Sequence, residues 1–256
     1  MTRTPRSIAK SIVRRGIKVG RRLRSLLLSS VIGTITNVKT QEAVVGLTFD
    51  DGPHPEFTPR LLEILEKHHA RATFFLVGES AKKYPELVEK IAKAGHAIGN
   101  HSWDHPSFPL ISSRSRRWQL RACEEAIAPY GQKLFRPPFG DQTIAARIDA
   151  FLYGYKVIAW NVVGVDWLDH DADVIVNRIL SQITPGSIIL LHDALYLSRQ
   201  ANYASREATL KAVDLLLEGH QKKYRFLTVP ELLEHGRPKQ ELWLQDADKS
   251  WLNSLE

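Results

Sequence analysis

The chain has 256 residues, 43% of them hydrophobic and 25% charged, with a single cysteine. That composition suits a folded chain with a sizeable core, and Cys123 alone excludes an intrachain disulfide or a cysteine-based metal cluster within one chain. The formal net charge of +7 sits at one end: residues 1–39 hold ten Lys and Arg and no Asp or Glu, leaving 25 basic against 28 acidic residues in the remainder.

Within that leader Ile8, Ile12, Val13 and Ile17 recur among the charges at roughly helical spacing, the pattern of a basic amphipathic helix on an anionic membrane surface. A solvated arm is the alternative reading. The uncharged run 25–38 is too short and too rich in Ser, Thr and Asn to cross a bilayer. As the apolar part of an export signal it lacks a following A-x-A-type cleavage site, so the compartment stays open, with a cytoplasmic or peripheral-membrane location ahead of secretion. The charges are not interleaved with aromatics, so no nucleic-acid partner is expected. The expected division is a leader at 1–42, a folded body at 43–238 and a tail at 239–256.

From residue 43 short apolar runs alternate with helical patterns. The runs are "AVVGLTF" (43–49), "ATFFLVG" (72–78), "HAIGNH" (96–101), "KLFRPPFG" (133–140), "YKVIAWNVV" (155–163), "SIILLHD" (187–193) and "YRFLTV" (224–229). Between them "TPRLLEILEKHHA" (58–70), "YPELVEKIAKAG" (84–95) and "ATLKAVDLLLEGH" (208–220) carry apolar residues at helical intervals. Strand and helix alternating in this way imply βαβ units and a mostly parallel sheet. About seven strands without an internal linker point to a closed or nearly closed (β/α) barrel, with the doubly wound open sheet as second choice.

Both architectures place active sites at the C-terminal ends of the strands. There this chain concentrates titratable groups: Asp50-Asp51 on the first run, His101 and His105 after the third, Arg136 on the fourth, Asp166 beyond the fifth, and His192-Asp193 on the sixth. Each has a bland reading, as turn cap, surface histidine or structural ion pair. Their recurrence at successive strand ends favours metal-assisted hydrolysis. Two histidines four apart with one carboxylate make a three-ligand site with open positions, and a second carboxylate beside the first serves as general base. Successive strand residues face opposite sides, so both aspartates reach one site only where the strand yields to the Gly52-Pro53 turn.

Five motifs then occur in a recognisable order: "TFDDGP" (48–53), "HSWDH" (101–105), "RPPFG" (136–140), "DW" (166–167) six residues after Trp160, and "LLHD" (190–193). Over roughly residues 43–234 the sequence resembles the polysaccharide deacetylases, the NodB-homology domains of carbohydrate esterase family 4. The resemblance implies an α/β fold, a distorted (β/α) barrel of seven or eight strands, and a hydrolase that removes N-acetyl groups from an amino sugar in a poly- or oligosaccharide. It implies Asp51, His101 and His105 as ligands of a divalent metal, zinc or cobalt. Asp50 becomes the base, paired with Arg136, and His192 the acid, kept cationic by Asp166. The backbone N–H of Phe139 is assigned to the oxyanion, Leu191 to the acetyl-methyl pocket and Trp167 to the packing beside it.

One departure is Val163, where many relatives carry an acidic residue three positions after the Trp. The block "ISSRSRRWQLR" (111–121) is also unusually basic, read as a solvated helix face before a guide for acidic substrates. Competing readings are a deformylase or O-deacetylase acting on a lipid-linked or other small sugar, a non-haem iron oxygenase using the same triad, and a non-catalytic carbohydrate-binding relic of the fold. Oligomeric state is not readable from the sequence.

Overall fold

A computed structural model describes residues 31–168, 171–198 and 204–243. Strand β1 (Thr34–Lys39) is followed by β2 (Val44–Asp50), helix α1 (Phe57–Lys67) and β3 (Thr73–Leu76). Two short helices, α2 (Gly78–Lys83) and α3 (Pro85–Lys93), lead to β4 (Ala97–Asn100), α4 (Ser113–Ile127), β5 (Gly131–Phe135) and α5 (Ile144–Leu152). Then come β6 (Lys156–Ile158), β7 (Val162–Val163), α6 (Ala172–Gln182), β8 (Ile188–His192), α7 (Glu207–His220), β9 (Arg225–Leu227), α8 (Val229–Glu234) and β10 (Arg237–Glu241).

The strands form one sheet in the order β10-β1-β6-β5-β4-β3-β2-β8-β7, with β9 on the first half of β2; only β10 runs antiparallel. The stretch 156–163 bridges the open side, since β6 pairs with β5 and β1 while β7 pairs with β8. Asn161 N–H donates to Ile188 C=O at 3.2 Å across that seam. The result is the expected distorted barrel. Residues 34–39, read from sequence as leader, are instead an inner strand, with Val38 N–H donating to Gly186 C=O at 2.8 Å. The tail boundary at 238 likewise falls inside β10. Leader charges hid β1: the run 31–38 reads as apolar only once Lys39 is seen to end it. Residues 1–30 and 244–256 lie outside the described residues.

Alternation along β2 does most to place the site. Val45, Leu47 and Phe49 point out into the layer beneath the helices, where they join Leu61, Leu65, Ile175, Ile179 and Leu216. Each such fully buried side chain is worth roughly 1.5–3 kcal/mol. Gly46, Thr48 and Asp50 then face inward. Below them Val44, Phe75, Leu134, Ile188, Val229 and Leu232 fill the lumen. A Cβ at Gly46 would lie 3.0 Å from Leu232, so glycine there lets α8 plug the floor. Helix α8 is fixed by a capping box between Thr228 and Glu231. No helix among the described residues is long and apolar enough to cross a membrane.

Candidate active site

At the C-terminal rim the chain leaves β2 through Asp51, which adopts φ 76°. This left-handed turn resolves the alternation problem, because Asp51 no longer follows the strand and joins Asp50 on one side. A Cβ on the next residue, Gly52, would lie 2.2 Å from the Asp193 carboxylate, so only glycine fits the turn.

Asp51 Oδ1 lies 3.3 Å from His101 Nε2 and 3.2 Å from His105 Nε2, and its Oδ2 accepts from Tyr196 N–H at 3.1 Å. His101 Nδ1 is 2.7 Å from the Arg136 carbonyl, which only accepts, so Nδ1 carries the proton and Nε2 presents a lone pair. His105 is turned inward by φ 58° and anchored by its N–H on Ser102 Oγ. Asp51 Oδ1 is buried without a hydrogen-bond partner. Burial opposes ionisation of Asp51, but His105 and His101, when their rings are protonated, outweigh it and hold the carboxyl well below its usual range; a bound cation would take the place of those protons. These three buried residues can converge on one ion. The separations of 3.3 and 3.2 Å between Asp51 Oδ1 and the two Nε2 atoms suit tetrahedral bonds of roughly 2.0–2.1 Å, so the donor set fits a divalent metal.

Asp50 is buried one residue back. Its Oδ1 accepts from Arg136 Nη1 at 2.7 Å, and Oδ2 is 3.8 Å from His101 Nε2. Arg136 is wholly buried, donates also to Thr48 Oγ1 and to the Ala159 carbonyl, and lies 4.2 Å from the Phe75 ring centroid. Burial pulls its guanidinium below the ordinary value while Asp50 opposes that.

On the far side, His192 Nδ1 is 2.9 Å from Asp166 Oδ1, and its backbone N–H donates to Asp166 Oδ2. Thr209 Oγ1 donates to the same oxygen and Arg206 to the Asp166 carbonyl. Burial would lower the imidazole, but Asp166, helped by Asp51 and Asp50, lifts it to about 9. The Trp167 ring stands edge-on to His192 at 5.5 Å. The Phe139 backbone has φ 60° in the turn Pro138–Gly140, and its ring meets His105 at 4.5 Å.

Leu191 does not join this group. It is fully buried in the layer between sheet and helices, and a Cβ at Gly164 would meet it at 2.7 Å. It pairs with outward-facing Phe49, whereas Leu190 pairs with Thr48 and shares the face of His192. Leu190, not Leu191, therefore stands on the side of the strand that faces the site. Strand alternation alone could have found this.

Sequence reasoning also passed over supporting groups. Asn100 holds the histidine loop through Leu120 C=O, Tyr155 Oη and Ser102 N–H. Asp193, quoted in its motif without a role, is buried, accepts from Thr58 Oγ1, and is pushed up to about 7 by burial. Tyr196 sits in a loop with no motif to mark it.

The sequence model of a family described as polysaccharide deacetylase matches residues 37–158. A peptidoglycan-N-acetylglucosamine deacetylase of Bacillus cereus is 36% identical over 202 residues, covering 77% of this chain and 71% of the relative. A chitooligosaccharide deacetylase of Azorhizobium caulinodans is 38% identical over 168 residues, 64% of this chain and 80% of the relative. Among solved structures, the Bc1960 peptidoglycan N-acetylglucosamine deacetylase, in complex with a naphthalenyl N-oxidanyl-benzamide, superposes with a TM-score of 0.71 at 34% identity. That match covers 80% of this chain and 94% of the other.

Proposed function

The chain belongs to the polysaccharide deacetylase family, and from that premise we propose that it hydrolyses the N-acetyl amide of an amino sugar, N-acetylglucosamine in a saccharide chain. The relatives' names, for peptidoglycan and chitooligosaccharide deacetylases, supply the substrate class. Asp51, His101 and His105 would hold a divalent cation, for which we propose zinc, with cobalt as a substitute. Such an ion, when bound, polarises a carbonyl and lowers the pKa of water.

The remaining steps belong to the chain's own side chains. Asp50, neutralised and oriented by Arg136, takes a proton from the attacking water. The Phe139 N–H donates to the oxygen that gains charge as the carbonyl becomes tetrahedral. His192, kept cationic by Asp166, gives its proton to the departing nitrogen as the C–N bond breaks. Water and amide become acetate and free amine. Leu190 would receive the acetyl methyl, with Trp167 closing the pocket beside His192.

One observation carries this reading: Asp50 and His192, the candidate base and acid, are register partners on β2 and β8, beside the three-ligand cluster. A relic of the fold needs none of this to be complete. Acetate release from N-acetylglucosamine oligomers tests the reading. Formate or O-linked acetate released in its place would move the substrate to a formylated or O-acetylated sugar.

A further inference from the structure

Helix α5 is turned inside out. Its sequence, IAARIDAFL, contains two charged residues, and both are buried. Asp149 accepts from Arg116 Nε at 2.7 Å and from Ser113 Oγ. Arg147 donates to Gln142 Oε1 and to the carbonyls of Glu241 and Trp243. What the helix shows to solvent is Ile144, Ala145, Ile148, Phe151 and Leu152, with Phe151 49% and Leu152 66% exposed. The spacing puts them on one stripe. An ordinary surface helix has the reverse arrangement, and an apolar stripe this continuous marks a contact surface.

The stripe adjoins the point where the leader enters the fold. Val31, the first described residue, is 58% exposed and lines one cavity together with Ile32, Phe151, Gly154 and Lys156. The thirty residues before it carry nine Lys and Arg, no Asp or Glu, and the run Leu26-Leu27-Leu28. Charge therefore selects the occupant. A second copy docking stripe to stripe would join two chains that each carry these nine cations ahead of the stripe in sequence. An anionic bilayer accepts both features at once, apolar side chains at the acyl boundary and Lys and Arg among the phosphates.

We propose that the exposed face of α5, with Val31, is a peripheral docking surface for an anionic phospholipid bilayer, the occupant that the basic sequence ahead of Val31 favours. Phe151 and Leu152 lie at the helix end that leads into β6, opposite the C-terminal rim of the barrel. Docking there leaves the active site open and facing away from the lipid. The inference stands apart from the deacetylase reading, since it uses none of those residues.

The test is co-sedimentation of the full chain with vesicles of phosphatidylcholine alone, or with a third of phosphatidylglycerol. The full chain should sediment with the anionic vesicles only. The triple variant Ile148→Gln, Phe151→Gln, Leu152→Gln should lose at least about ten-fold in partitioning with its thermal midpoint unchanged. An Ile148→Cys variant carrying a polarity-sensitive fluorophore should shift to the blue on anionic vesicles, a reading that survives if the triple variant misfolds. Unshifted emission from vesicle-bound protein, or a triple variant that binds as the parent does, would overturn the proposal in favour of the leader alone. A dimer in solution that the triple variant dissociates, without vesicle binding, would overturn it in favour of a second copy.

Discussion

Asp50 and His192 stand side by side at the ends of neighbouring parallel strands, and each is backed by a partner of opposite sign: Arg136 behind Asp50, Asp166 behind His192. Two ion pairs of opposite polarity thus flank the Asp51, His101 and His105 cluster. Asp166 keeps His192 cationic at neutral pH, the state that the proposed proton donor needs.

Asp50→Asn keeps the shape of the site and removes the proton acceptor. We expect turnover to fall by at least roughly a hundred-fold while bound metal, measured by elemental analysis, stays near one per chain. His101→Ala should lose both. Turnover retained in Asp50→Asn would refute the assignment of the base.

The pH profile should show its basic limb where His192 loses its proton, near pH 9. Burial pushes this imidazole down and Asp166 is the main group that lifts it, with Asp51 and Asp50 helping, so Asp166→Asn should move the limb to lower pH. The stability contribution has the matching sign. A histidine raised in the folded state contributes fully below pH 6.5 and loses that contribution as pH rises through about 9. Denaturant titrations across that window, with and without Asp166→Asn, check it. A limb that stays in place in the variant would assign it to another group.

Arg136 has no solvent to fall back on. Replacing it with Met leaves Asp50 a buried charge without its cation, at a cost of about 3–5 kcal/mol. Arg136→Lys should rescue little, because one ammonium cannot meet Asp50, Thr48 and the Ala159 carbonyl together. Urea titration of the two variants measures this. A lysine variant as stable as the parent would contradict it.

Leu190 and Leu191 separate packing from function. Leu191→Ala should cost roughly 2–5 kcal/mol in stability and leave turnover per folded molecule close to the parent's. Leu190→Phe should fold yet lose acetyl turnover by narrowing the methyl pocket. The opposite pattern in paired melting and acetate assays would return the pocket to Leu191.

The parallel alternation, the barrel and the whole charged rim were legible because strand ends that carry chemistry interrupt apolar runs with residues such as Asp50, His101 and His192. Less legible was anything set by side-chain direction or by partners far along the chain. Leu191 was misplaced because a doublet of leucines offers no chemical clue to its face. β1 was hidden by the basic residues ahead of it, and β10, with the sequence RPKQE, has almost no apolar content because it pairs at the sheet edge. Val163 lies on β7, half-buried, and its carbonyl accepts from Gln182 Nε2.

The most direct measurement is acetate release from short N-acetylglucosamine oligomers by protein stripped of metal and then resupplied with zinc or cobalt. Acetate and free amine should appear together, in equal amounts, only after metal is restored. Metal bound at one per chain with neither acetate nor amine released, from these oligomers or from peptidoglycan fragments, would contradict the assignment of the reaction.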